Sequence, residues 1–283
     1  MKKTNIKNTL LIALFFLSTY TMTLSQEQLS TDRQNSSSSI KKPRVSIITS
    51  VFDPNDMFIE QFLIDITRQT IFDECELLLI EAPASPNTKT IIEPYLARYH
   101  NIRYIKLDSD PGLYAIWNMG IQLAQADFVT NANIDDRRNA YCLEMHAKAL
   151  EQNTTIDLVY SDFYVSDFPN TTFENPRANA IAHIQEFSPS IMYLCLPGPM
   201  PMWRKSVHTN CGYFRDDLSS SADWEFWNRL VSKNITFKKV PGISGVYYVN
   251  PKGASTDLAS KKAIERNEAN SKIAQMYRHI WQK

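Results

Sequence analysis

The stretch FVTNANIDDRR, residues 128–138, decides how the rest of the chain reads. An apolar start runs into Asn133-Ile134-Asp135-Asp136 and then two arginines. Two adjacent carboxylates are expensive to bury unpaired, so a strand ending on them ends at a site or at a surface turn. The surface alternative is an acidic cap on the following helix, where carboxylates favour the positive end of the helix dipole. The segments on either side separate the two readings.

Upstream, strands and helices alternate. VSIITSV (45–51) is a β-branched run closed by the turn FDPN, and MFIEQFLIDITRQ (57–69) carries apolar residues at helical spacing. ELLLIEA (76–82) and IRYIKL (102–107) are further strands, with a proline-bearing helix, TKTIIEPYLARYH, between them. SDPG breaks the chain before the helix LYAIWNMGIQLAQA, and DFVTNAN (127–133) is the fourth strand. This alternation predicts βαβ crossovers and a mainly parallel sheet, whose ligands bind beyond the carboxyl ends of the strands. Asp135 and Asp136 fall at such an end. Downstream, AYCLEMHAKALEQ is a helix, TIDLVYSDFYVSD a strand, ADWEFWNRLVSK (222–233) a helix and GVYYVN (245–250) a last strand, with residues 165–200 irregular.

The chain of 283 residues carries 30 basic and 30 acidic side chains, a balance that leaves no electrostatic footprint for nucleic acid. Five scattered histidines and four cysteines without a CxxC pair argue against zinc, and the thiols read as free and buried. MKKTNIKN followed by an apolar run of about 15 residues is a basic n-region and a short hydrophobic segment. Residues 1–25 are therefore a signal peptide or an uncleaved signal anchor, and the Ser-rich residues 26–42 a disordered stem. The catalytic part is expected to be membrane-anchored or exported, in a Golgi-type lumen if the cell is eukaryotic. Glycosylation sequons begin at Asn35, Asn153, Asn170 and Asn234. The last helix, about 257 to 281, places Ile273, Met276, Tyr277, Ile280 and Trp281 on one face, to pack on the catalytic domain or on a membrane surface.

No GxGxxG, Walker A, GxSxG or HExxH is present, which removes support for dinucleotide oxidoreduction, P-loop hydrolysis and serine or zinc hydrolysis. What remains are acids at strand and helix ends: Glu81, Asp135, Asp136 and Asp223. Closely spaced carboxylates hold a hard divalent ion while phosphates complete its shell, and a separate carboxylate can take a proton from an attacking hydroxyl.

From residue 44 to 255 the chain resembles the family 2 glycosyltransferases of GT-A fold. VSIITSVFD is similar to that family's opening strand, and the helix ending Arg68-Gln69-Thr70 to its QT segment. Glu76 to Glu81 followed by APASPNT matches its V-D-D-G-S-x-D-x-T strand and loop in length and position, and NIDD stands where the family has D-x-D-D. GLYAIWNMGIQLAQADFV resembles the segment leading into that motif. MWRKSVHTNCGYF, SSSADWEFWNRL and YYVNPKGAS resemble three later motifs, in order.

The resemblance implies a Rossmann-like α/β fold of GT-A type with one catalytic domain, residues 43–256, and a C-terminal amphipathic helix, 257–283. It implies inverting transfer of a hexosyl or N-acetylhexosaminyl group from a nucleotide-sugar donor to a hydroxyl of a saccharide, lipid-linked or protein-linked acceptor, with a divalent cation, Mn2+ or Mg2+. Asp223 would be the base and Asp135 the metal ligand. Thr49, Ser50, Glu81, Asn118, Asn133, Asp136 and Asn250 would line the donor, and Trp203, Trp224 and Trp227 offer stacking faces to an acceptor or pack in the core. Asn133 stands for the first acid of D-x-D and Asn250 for a histidine. These departures motivate an alternative, a degenerate member that binds nucleotide or saccharide without catalysis. A nucleotidyltransferase is disfavoured, since TSVFDPND is neither Gly-rich nor basic.

Overall fold

A computed structural model describes residues 41–52, 56–83, 86–251, 253, 256 and 261–282. The expected signal segment, 1–25, and all but the last two residues of the expected stem lie outside them. The described residues from Lys42 onward form one nine-stranded sheet, in the order β3 (Ile102–Lys106), β2 (Cys75–Glu81), β1 (Val45–Val51), β4 (Phe128–Asn131), β8 (Met202–Arg204), β6 (Leu158–Ser166), β9 (Phe237–Tyr248), β5 (Arg137–Arg138), with β7 (Ala180–Ala182) paired to β6.

The first half follows the hydrophobic pattern. β1 (Val45–Val51), β2 (Cys75–Glu81), β3 (Ile102–Lys106) and β4 (Phe128–Asn131) pair in parallel. β1 is flanked on both sides, so its β-branched side chains at Val45, Ile47, Ile48 and Val51 are all buried. Burying each stabilises the fold by roughly 1.5–3 kcal/mol before conformational entropy is subtracted. α1 (Ile59–Ile66) buries Ile59, Phe62, Leu63 and Ile66, the i, i+3, i+4, i+7 stripe of a helix laid on a sheet. α2 (Thr88–Arg98) tolerates Pro94 within it, and α3 (Leu113–Leu123) starts after Gly112, whose φ of 93° sets the turn. Gly120 of α3 permits close approach to β1, because a Cβ there would stand 2.3 Å from Ile48 Cγ2.

The second half departs from a parallel plan. β4 pairs antiparallel with β8 (Met202–Arg204), which pairs antiparallel with β6 (Leu158–Ser166). β6 runs parallel to β9 (Phe237–Tyr248), and β9 pairs antiparallel with the two-residue β5 (Arg137–Arg138). β7 (Ala180–Ala182) lies inside the segment 165–200 read as irregular, and pairs antiparallel with β6 there. β5 and β8 are too short to show a period. The first half of β9 is interrupted by Pro241-Gly242, where the pairing with β6 shifts register, and it therefore reads as a turn.

Helices α4 (Cys142–Gln152), α5 (Val207–Cys211) and α6 (Ala222–Ser232) cover the sheet, and α7 (Lys261–Trp281) closes the chain. Of the face expected on α7, Ile273, Tyr277 and Ile280 are buried in the core that contains Trp203 and Trp227, whereas Met276 is exposed. Tyr277 donates to Glu225 Oε1 at 2.7 Å and Trp281 Nε1 to Asn228 Oδ1 at 2.8 Å, so α7 docks on α6. No helix of the described residues is long and apolar enough to cross a membrane. All four cysteines are free; Cys75, Cys142 and Cys211 are buried as expected, but Cys195 is exposed.

Two histidines are buried neutral. His146 Nε2 meets Ser161 Oγ at 2.9 Å, and burial together with the Arg138 charge pushes its pKa down to about 3. Trp203 Nε1 donates to His208 Nε2 at 2.9 Å, so its Nδ1 carries the proton and donates to Gly212 O. Burial pushes the His208 pKa to about 4. Below its ordinary value of 6.5 the unfolded chain protonates each histidine while the folded chain does not, so this contribution to stability is lost as pH falls toward the folded value. Buried Asp65, pushed up to about 6, acts with the opposite sign in an overlapping window, so the test is a difference between variants. His146→Gln should flatten the urea-unfolding stability profile between pH 6.5 and 4.5 relative to wild type, by up to about 1.4 kcal/mol per pH unit.

Candidate active site

The acidic loop is held from below by the two arginines that follow it. Both are buried, at 1% and 5% exposure. Arg137 Nη1 donates to Ile134 O at 2.8 Å and to Asp136 O at 2.6 Å, while Nη2 donates to Asn170 Oδ1. Arg138 donates to Thr130 Oγ1 at 3.1 Å and to Asn131 O, and its backbone N–H to Asp65 Oδ2 at 2.9 Å. Asn170 in turn donates to Met57 O at 2.7 Å, so its amide is engaged on both sides. A guanidinium has five donors in a fixed fork and suits a turn whose carbonyls have no strand partner.

Above this floor the two carboxylates differ. Asp136 is buried and accepts from Tyr248 N at 3.0 Å and from Asn133 Nδ2 at 3.1 Å. Burial, reinforced by the neighbouring charge of Asp135, pushes its pKa up to about 8. Asp135 is only half-buried, and Asn250 Nδ2 donates to its Oδ2 at 3.1 Å. Among the described residues no group of three or more His, Cys, Asp or Glu is arranged to hold a metal ion. Asp135 would offer a divalent ion one carboxylate and Asn250, with its amide turned over, one carbonyl oxygen, both hard oxygen donors.

A second cluster lies at the carboxyl end of β2. Glu81 is fully buried, accepts from the Tyr104 hydroxyl and pairs with Lys106 Nζ at 3.2 Å. That ion pair is not an aligned hydrogen bond, and Glu81 Oε1 retains unused acceptor capacity. At the end of β1, Ser50 is partly exposed, while Thr49 is fully buried with a hydroxyl that lacks a partner.

The third cluster surrounds Asp223 in the first turn of α6. Tyr114 donates to its Oδ1 at 3.0 Å, and the Cys195 thiol stands 3.9 Å from Oδ2. Burial raises the Asp223 pKa against the lowering effect of the Trp224 N–H and the Tyr114 hydroxyl. Tyr114 lies in the first turn of α3, the helix that leaves the carboxyl end of β3, so Asp223 belongs to the same sheet edge as Glu81 and the acidic loop.

Several expected site residues sit elsewhere than at a ligand surface. Asn118 clamps a backbone: its Nδ2 donates to Phe214 O at 2.8 Å and its Oδ1 accepts from Phe214 N at 3.0 Å. Asn133 and Asp136 direct their side chains at each other. Trp203 and Trp227 are core residues, packed with ring centroids 5.3 Å apart and an interplanar angle of 72°. They offer no face to an acceptor, because hydrophobic burial claims both rings. Trp224 is half-buried, stacked on Trp281 at 5.7 Å and tied through Nε1 to Met192 O at 2.8 Å. The residues missed from sequence are Tyr104, Lys106, Tyr114 and the two arginines. Only the arginines carried a signal, since charge pairs rarely continue a buried strand without a partner.

The profile of Glycosyl transferase family 2 matches residues 46–217, from β1 past the acidic loop and into the second half of the sheet. The chain belongs to this family. The uncharacterized glycosyltransferase YwdF of Bacillus subtilis (strain 168) is 27% identical over 206 residues, covering 71% of this chain and 74% of that protein. The uncharacterized glycosyltransferase MJ1057 of Methanocaldococcus jannaschii is 23% identical over 198 residues, covering 69% and 67%. Among solved structures, S. aureus TarS 1-349 in complex with UDP-GlcNAc superposes with a TM-score of 0.62 at 16% identity, covering 83% of this chain and 72% of that one. Against a longer TarS structure the covered share of that chain is 41%. The mannosyltransferase PcManGT from Pyrobaculum calidifontis, in complex with GDP-Man and Mn2+, superposes with a TM-score of 0.55 at 14% identity, covering 76% and 59%. At these identities the structures establish the GT-A fold for this family 2 member.

The geometry depends on one close approach. Gly245 faces β5, and a Cβ there would stand 2.1 Å from Arg137 O and 2.6 Å from Met200 Sδ. Gly245→Ala must separate β9 from β5 and draw Tyr248 away from Asp136. We expect a loss of roughly 1–3 kcal/mol in urea unfolding.

Proposed function

We propose that this family 2 member is an inverting glycosyltransferase that moves a hexosyl or N-acetylhexosaminyl group from a nucleotide sugar to an acceptor hydroxyl. The observation that carries the proposal is Asp223: a partly exposed carboxylate at the sheet edge of the acidic loop, oriented by Tyr114 and raised in pKa by burial. A carboxylate so placed takes the proton of the attacking hydroxyl as the new bond forms. Attack from the acceptor side opposes departure of the nucleoside diphosphate and inverts the anomeric centre.

Ser50 lies at the carboxyl end of β1, where the nucleoside of the donor fits, and Glu81, fully buried at the end of β2 and paired with Lys106, supports that edge from within. Asp135 with Asn250 would hold a divalent cation against the diphosphate, and that ion supplies neutralisation of leaving-group charge. Asp136 acts from behind, fixing the loop through Tyr248 and Asn133. UDP-GlcNAc and GDP-Man, each present in the complex of a solved neighbour, are the first donors to assay.

The second reading, binding without turnover, is favoured by one observation: the neutral amide of Asn250 lies against Asp135, and among the described residues no group of three or more His, Cys, Asp or Glu is arranged to hold a metal ion. The two readings separate on Asp223→Asn. The enzyme reading expects turnover of UDP-GlcNAc or GDP-Man, with Mn2+ and a saccharide acceptor panel, to fall by about 10²–10⁴-fold in the variant, with thermal stabilisation by the nucleotide retained. Equal background turnover in both proteins, with that stabilisation intact, supports binding alone. Asp135→Ala should abolish the Mn2+-dependent part of the stabilisation and leave the metal-free part.

A further inference from the structure

Asp223 is held more closely than a residue at a helix start requires. The Tyr114 hydroxyl donates to Oδ1 at 3.0 Å. Tyr114 is itself fixed. Its ring is buried, edge-on to Trp117 at 5.3 Å and stacked on Phe214 at 6.0 Å with an interplanar angle of 29°. Phe214 is immobilised through both backbone groups by Asn118. A chain of contacts therefore runs from the amide on α3 to the ring of Phe214, to the phenol and on to the carboxylate on α6.

We propose that Tyr114 is the positioning residue of this active site, pinning Oδ1 of Asp223 so that Oδ2 alone is presented to the acceptor hydroxyl. The inference rests on the reading of Asp223 as the base. Besides the phenol, the carboxylate is met by the Trp224 N–H of its own helix turn and by the Cys195 thiol, which stands 3.9 Å from Oδ2 and is a weak donor that an acceptor hydroxyl displaces. A carboxylate without the phenol would rotate about its Cβ–Cγ bond and offer its lone pairs in a spread of directions. No other charge competes for it. Glu225, on the same helix, is engaged by Arg229 at 2.8 Å and by Tyr277 at 2.7 Å, and α3 and the Cys195 loop contribute only the phenol and the thiol. Donation to the ionised form also holds down the carboxylate pKa that burial raises, so the same bond sets the pH at which the base becomes available.

The test compares wild type with Tyr114→Phe, which keeps the ring and removes the donor. Selective carbon-13 labelling of aspartate carboxyls follows Asp223 through a pH titration, with its resonance assigned by its loss in Asp223→Asn. The titration midpoint in Tyr114→Phe should lie about one pH unit higher than in wild type, the size of one hydrogen bond to a charged group. This measurement needs no donor, so it decides the contact whichever nucleotide sugar the protein uses. With UDP-GlcNAc or GDP-Man and Mn2+, the acid limb of the turnover profile should move by the same amount. The nucleotide concentration giving half-maximal thermal stabilisation should stay within about twofold of wild type, a change below about 0.4 kcal/mol. An unchanged midpoint in Tyr114→Phe overturns the proposal. So does an equal shift in Cys195→Ala, which would show that any disturbance beside the carboxylate has the same effect. A shifted midpoint with undiminished turnover in Asp223→Asn removes the base reading and leaves Tyr114 a purely structural partner.

Discussion

The hydrogen bond from Tyr248 N to Asp136 Oδ1 joins residues 112 positions apart and makes one site of two halves of the chain. Asp136 arrives at the end of the parallel sheet and Tyr248 at the end of β9, on the far side of the mixed sheet. Once they meet, Asn250, two residues on, falls against Asp135. The arrangement separates two adjacent carboxylates by role. Asp136, with both oxygens met by protein donors, holds the architecture, and Asp135 is left half-buried against Asn250. A buried carboxyl with raised proton affinity also lessens the repulsion that two charges in sequence would exert on each other.

The arginines beneath the loop complete this division. A loop at a sheet edge has backbone carbonyls that no neighbouring strand can satisfy, and leaving them unpaired costs more than a well-placed donor gains. Arg137 and Arg138 supply those donors from within the same short segment. Their charges lie beside the carboxyls of Asp65 and, for Arg137, of Asp136 and Asp135. The rigidity of the site therefore comes from charge buried in mutual satisfaction, and removal of any one partner exposes the cost of the others.

The parallel half of the fold was legible because every strand in it is a run of β-branched or aliphatic residues bounded by turn chemistry. The mixed half was less so. β5 and β8 are two and three residues long, and a Pro-Gly interruption conceals the first half of β9. For the site, the order of motifs brought Asp135, Asp223, Glu81 and Asn250 to attention, and the structure places all four at one edge of the sheet. It set Asp135 apart from Asp136 by the resemblance alone, since which of two neighbouring acids is buried depends on a strand more than a hundred residues away. It could not tell a tryptophan that forms core from one that lines a surface, because three tryptophans within 25 residues share composition but not register. Tyr114 and Tyr104 gave no signal at all; a phenol on a helix or strand is ordinary until the tertiary fold sets it beside a carboxylate.

Asn170 begins a glycosylation sequon, yet its amide is already engaged by the Arg137 guanidinium and the Met57 carbonyl. An oligosaccharide attached there during synthesis would reach that nitrogen before the loop floor could assemble. Asn234, which begins another sequon, is exposed at a turn and bears no such duty. The two tripeptides look alike to a modifying enzyme but differ in consequence: one is a surface tag, the other a competitor for a bond the fold needs. The choice of expression host is thus a structural variable for this protein, and material made in a glycosylating secretory pathway need not share the site geometry of material made without one.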